Sequence, residues 1–121
     1  NAVANVLVEL QDCKCFYCNK PMRKGNYAVD HFIPWSMYPS DTGHNFVLAD
    51  SSCNSKKSNL LASDEFLHKW QERNEEQDLI IVDRISVLGF LTDKERSHKV
   101  AEWAYRQANE NYYVKSNVIN S

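Results

Sequence analysis

The chain has 121 residues, 43% of them hydrophobic and 25% charged, with a formal net charge of −2. That length buries one modest core, so residues 1–121 are expected to form a single domain. The longest strongly apolar cluster, Leu79-Ile80-Ile81-Val82, is far below the roughly 18 residues needed to cross a bilayer, and no basic flank followed by an apolar run marks an export signal. No membrane partner is therefore expected, and the opening on Asn1 instead of Met leads us to expect a piece of a longer protein.

Charge is uneven along the chain. Between Cys13 and Leu61 six bases (Lys14, Lys20, Arg23, Lys24, Lys56, Lys57) face three acids (Asp30, Asp41, Asp50). Between Ala62 and Glu110 eleven acids face seven bases. The first half is thus locally basic, although the net charge gives no global argument for nucleic-acid binding.

In chain order, Val3, Val6, Leu7 and Leu10 lie at helical spacing and predict a short amphipathic helix over 3–12. Residues 13–26 are turn-rich, with Pro21 and Gly25, and read as a knuckle loop. The stretch from Tyr27 reads as a strand ended by Pro34. Pro39, Ser40, Asp41 and Gly43 mark a loop, and 45–49 a second strand. Residues 51–62 read as a helix with Ser51 or Ser52 near its N-cap. Ser63 caps a further helix through Phe66, Leu67 and Trp70, ending near Arg73–Asn74, with Asp64 and Glu65 in the first turn. Apolar character resumes at 79–91, interrupted by Gly89. Thr92 with Glu95 reads as a capping box for a last helix through Val100, Ala101, Ala104, Tyr105, Ala108 and Tyr112.

The cysteines stand at 13, 15, 18 and 53. Clustered thiols in a chain with no export signal point to metal before disulfides. Cys15 and Cys18 form a C-x-x-C; Asp50 and Cys53 form a D-x-x-C. Thiolates and a carboxylate can share one tetrahedral zinc, which makes Cys15, Cys18, Asp50 and Cys53 the expected ligands of a structural zinc. Cys13 competes for the fourth place, and Asp50 could instead serve as a helix N-cap.

His31, Asn45 fourteen residues on, and Asn54 nine further complete a pattern. Together with the segments CFYC, VDHFIPWS, GHNFVLAD and SCNSKKS, it resembles the HNH endonucleases over roughly Cys15 to Ala62. The tail, with LHKWQERN and VAEWAYRQA, is similar to one bacterial subgroup. The resemblance implies an α+β protein: a ββα-metal hairpin and helix at 13–62 with a zinc-stapled loop, packed against an N-terminal helix and a helical extension at 63–121. It implies a cytoplasmic, bacterial, metal-dependent endonuclease acting on double-stranded DNA. Asp30 would ligate a catalytic Mg²⁺ or Mn²⁺, His31 would be the general base, Asn54 would be the second protein ligand, and Asn45 would fix the loop holding His31. Lys56 and Lys57, one turn from Asn54, are expected to contact backbone phosphate. His44 is expected to be structural or phosphate-facing, and Trp35, Trp70 and Trp103 to pack. Adjacent strand residues face opposite sides, so the strand must bend or end at Asp30–His31. The alternative function is a non-catalytic, zinc-stabilised nucleic-acid-binding module.

Overall fold

Pro34 has no backbone N–H and cannot donate to a strand ladder. In the computed structural model, which describes residues 1–108, the first strand accordingly stops at His31. Strand β1 (Tyr27–His31) pairs antiparallel with β2 (Phe46–Asp50), in a register running from Tyr27 opposite Asp50 to His31 opposite Phe46. Beyond the ladder, the amides of Phe32 and Ile33 donate to the Asn45 carbonyl and to Asn45 Oδ1, both at 2.8 Å. The pleat turns Asp30 into the interior, while Val29 and His31 share the other face and line one cleft with Phe46.

Phe46, Val47, Leu48 and Ala49 are all buried, because β2 is covered on both sides. Helix α1 (Ala2–Leu10) buries Val3, Ala4, Val6 and Leu7, and Asn1 caps it by accepting from the Ala4 amide at 2.8 Å. Just past α1, the Gln11 amide group meets both backbone polar groups of Leu48 at 2.8 Å, satisfying the outer edge of β2. Helix α2 (Ser51–Lys57) follows β2 without a loop. Its N-cap is Asp50, not Ser51 or Ser52, and it ends at Ser58 (φ 52°), well short of the expected Ala62.

Helix α3 (Asp64–Glu76) starts after Ser63 as expected but runs past Asn74 into α4 (Asp78–Ser86), with Gln77 as the joint. Helix α4 buries Ile81 and Ile85. Helix α5 (Lys94–Gln107) is capped by Asp93, which accepts from the Arg96 amide at 2.9 Å, not by the Thr92–Glu95 pair. Ser97, Ala101 and Ala104 face inward from α5; Tyr112 lies outside the described residues.

Trp70 sits at the centre, stacked on Phe32 with ring centroids 4.9 Å apart and donating through Nε1 to the His44 carbonyl at 2.8 Å. Phe16, Tyr17 and Phe66 pack edge-on beside it. The other two tryptophans lie nearer the surface. Trp35 (53% exposed) lies in the turn after Pro34, and Trp103 (47%) falls off the inward stripe of α5. Trp70→Ala is expected to lower unfolding stability by about 3–5 kcal/mol, read from denaturant midpoints at saturating zinc, whereas Trp103→Ala should shift them by less than about 1 kcal/mol.

Candidate active site and metal centre

Two separated loops meet at the foot of the hairpin. The knuckle brings Cys15 and Cys18, and the β2–α2 junction brings Asp50 and Cys53. Left-handed backbone at Asp12, Cys13 and Asn19, with a bridge between Lys14 and Pro21, folds the knuckle back on itself. The three Sγ atoms and one carboxylate oxygen lie within 4.8 Å of one another. Cys18 Sγ donates to Asp50 Oδ2 at 3.1 Å, and the Asp50 amide approaches Cys15 Sγ at 3.4 Å. Tetrahedral zinc with thiolate ligands needs such spacing and donors, so the quartet fits that ion. Cys13 stands outside it, its thiol directed at the Met22 carbonyl at 3.4 Å.

Asp50 both caps and belongs to the quartet. Its Oδ1 accepts from the Cys53 amide at 2.7 Å while Oδ2 faces Cys18. Burial works against its charge, but these hydrogen bonds outweigh it and hold the carboxyl below its usual range. Burial also pushes the thiols of Cys53 and Cys18 up, with neighbouring sulfur charge adding to it at Cys53. A cation reverses that preference, since it binds thiolates.

Asp30, on the inner face of β1, is buried beside two partners. The Tyr17 hydroxyl donates to Oδ2 at 2.5 Å, and Lys57 Nζ lies 3.2 Å from the same oxygen. Oδ1 takes no hydrogen bond among the described residues. Lys57 is fully buried and also donates to the His31 carbonyl at 3.0 Å. Burial lowers its pKa while Asp30 pulls it up; burial and the same carboxylate push the Tyr17 hydroxyl well up. Asn54, three residues before Lys57 on α2, is half-buried, and its side chain takes no protein partner among the described residues. One open carboxylate oxygen and one open amide suit a hard divalent ion that keeps several waters.

His31 lies on the other face, with a side chain 28% exposed. Its ring packs edge-on against Trp35 (5.6 Å) and Phe46 (5.4 Å), and Nε2 is 2.8 Å from Asp41 Oδ1. Asn45 is fully buried and clamps the chain after His31, accepting from the Ile33 amide at 2.8 Å and donating to its carbonyl at 2.9 Å. The turn holding Asn45 is braced from α3, where Arg73 donates to the carbonyls of His44 (2.8 Å) and Phe46 (3.0 Å).

A strand-end carboxylate and imidazole, a clamping asparagine and a metal knuckle thus occur in one hairpin–helix unit. Residues 15–63 match the HNH endonuclease family. No curated protein matches the chain. The HNH segment supports nuclease chemistry and coincides with β1, β2, α2 and the zinc-fitting quartet.

Two expectations for nucleic-acid contact fail. Lys57 is inside the molecule, neutralising Asp30, and cannot reach a phosphate. His44 is fully buried with Nε2 2.7 Å from Asp78 Oδ1; burial lowers its pKa against that carboxylate's pull. It belongs to the scaffold, as its structural alternative held. Lys56, on the outer side of α2, stays exposed. Tyr17, Lys57 and Asp41 were missed as partners of Asp30 and His31. The only local signal was the spacing of Asn54 and Lys57 along one helix, which placed them near each other but not Lys57 inward.

Opposite pH dependences should separate the apo and zinc-loaded protein. In apo protein the folded thiols of Cys18 and Cys53 have raised pKa values, so their contribution is present below the unfolded thiol pKa and lost as pH rises past it. Its melting temperature should fall between about pH 8 and 10. Zinc-loaded protein should instead lose metal and stability on acidification below about pH 6, as thiolates take up protons; melting curves with metal analysis read both. Lys57→Met leaves Asp30 buried without its cation and should cost about 3–5 kcal/mol of stability, measured by denaturation, where an exposed phosphate-contacting lysine would cost almost nothing.

Proposed function

We propose that this HNH segment makes the protein a metal-dependent endonuclease that hydrolyses phosphodiester bonds of double-stranded DNA. The observation carrying this is Asp30: a buried carboxylate with one oxygen committed to Tyr17 and Lys57 and the other open, immediately before a partly exposed, packed imidazole. That open oxygen is available to a cation, while its neighbour is fixed by Tyr17 and Lys57.

In this reading Asp30 and Asn54 would hold one Mg²⁺ or Mn²⁺. When bound, the ion supplies charge stabilisation at the phosphate and at the departing 3′ oxygen. His31 accepts the proton of the attacking water as general base. Asn45 keeps residues 32 and 33 in place, so the ring approaches from a fixed direction. Lys57 and Tyr17 both engage Oδ2 of Asp30 and so fix that edge of the carboxylate. Lys56, exposed on α2, contacts backbone phosphate. The quartet of Cys15, Cys18, Asp50 and Cys53 holds zinc as a scaffold, with no part in the chemistry.

Supercoiled plasmid incubated with zinc-loaded protein and Mg²⁺ or Mn²⁺ should become nicked or linear, with 5′-phosphate ends that a ligase can rejoin. His31→Ala should lower the rate at least about 100-fold with unchanged zinc content and melting temperature. Intact wild-type protein that retains DNA on a gel but never cuts it would favour the non-catalytic binding module.

A further inference from the structure

The nuclease reading uses His31 but leaves its neighbour Asp41 without a role. Asp41 is on the loop between β1 and β2, ten residues from His31, yet its Oδ1 lies 2.8 Å from His31 Nε2. The loop does not swing freely there. Thr42 is buried and meets the hydroxyls of Tyr38 (3.1 Å) and Ser40 (2.9 Å), and the Gly43 amide donates to the Leu91 carbonyl at 2.7 Å. Gly43 itself is tightly packed: a Cβ would stand 3.0 Å from side-chain methyls of Ile85 and Thr92. Asp41 is therefore delivered to His31 by a segment pinned to the C-terminal extension. The imidazole also packs edge-on against Trp35 and Phe46, and its side chain stays 28% exposed.

We infer that Asp41 is a positioning residue for the general base: it accepts a hydrogen bond from His31 Nε2–H, fixes that tautomer, and leaves the Nδ1 lone pair as the proton acceptor. The inference rests on His31 being the base. A carboxylate is acceptor-only, so a neutral imidazole facing it must carry its proton on Nε2. One ring nitrogen is thereby committed to orientation and the other to chemistry, the logic by which an acid orients the histidine of hydrolase triads. As His31 takes the water's proton it becomes imidazolium, and Asp41 then faces a full positive charge, so the contact strengthens when the reaction needs it.

The test pairs a structural with a kinetic readout on zinc-loaded protein. Long-range ¹⁵N–¹H correlation spectra should show His31 as the Nε2–H tautomer in the wild type, and Asp41→Ala should move it toward a mixture with Nδ1–H. In plasmid cleavage with Mg²⁺, Asp41→Ala should lower kcat roughly 10–100-fold, with KM changed less than about twofold and zinc content unaltered. Asp41→Asn, which keeps an acceptor oxygen but no charge, should fall between. An Asp41→Ala protein that cuts as fast as the wild type or faster, or keeps the wild-type tautomer, overturns the assignment while leaving the nuclease reading intact; faster cutting would make Asp41 a restraint on His31. Wild-type protein that cuts no DNA overturns the nuclease reading and the role of Asp41 with it.

Discussion

The carboxylate of Asp50 joins three parts of the chain at one point. Its backbone closes the hairpin opposite Tyr27, its Oδ1 starts α2 at the Cys53 amide, and its Oδ2 meets Cys18 in the knuckle. The direction of α2 follows from that junction. So does the position of Lys57, two turns along, against Asp30 of β1. A helix of seven residues has little stability of its own, and two short strands make a marginal hairpin. With a core this small, a metal ion held at the quartet would contribute folding free energy that local structure lacks.

A second brace comes from the helical extension. Trp70 and Arg73 of α3 reach the carbonyls of His44 and Phe46, Asp78 of α4 meets His44, and Leu91 bonds the Gly43 amide. These contacts converge on the turn that carries Asn45, and Asn45 in turn grips Ile33 just beyond His31. The extension thus braces the turn that carries Asn45 chiefly through its backbone carbonyls. Backbone carbonyls in a buried turn need donors, and α3 supplies them from Trp and Arg, whose polar tips sit at the end of apolar or planar bodies.

The electrostatics of the inner face are economical. A buried carboxylate without a cation is expensive, so Asp30 is matched by a buried ammonium and a hydroxyl, all on one oxygen. The outer face is different. His31 and Asp41 are both solvent-accessible, their side chains 28% and 52% exposed, and the apolar cleft beside them is lined by Val3, Val29, Phe46 and Phe90. One strand end therefore serves two environments, with Asp30 and His31 separated by the pleat.

By itself the sequence carried the order of the main elements, the end of the strand before Pro34, and the spacing of Cys15, Cys18, Asp50 and Cys53 that the fold brings together. These are encoded in local periodicity, in the conformational limits of proline, and in the spacing of residue types that few structural roles demand. Which atoms those residues face was decided only by tertiary packing. Lys57 looked like a surface base, because nothing in its neighbours reveals that helix α2 ends at Ser58 and turns that residue onto Asp30. For His44 the sequence left a structural and a phosphate-facing role open, and Asp78 of α4 meets it in the interior. Asp41 read as a turn former, since its contact with His31 requires the loop to be pinned at Leu91, some fifty residues on. Cap positions slipped by one or two residues for the same reason: a side-chain oxygen caps whichever amide the folded chain presents, and Asp50 and Asp93 reached theirs first.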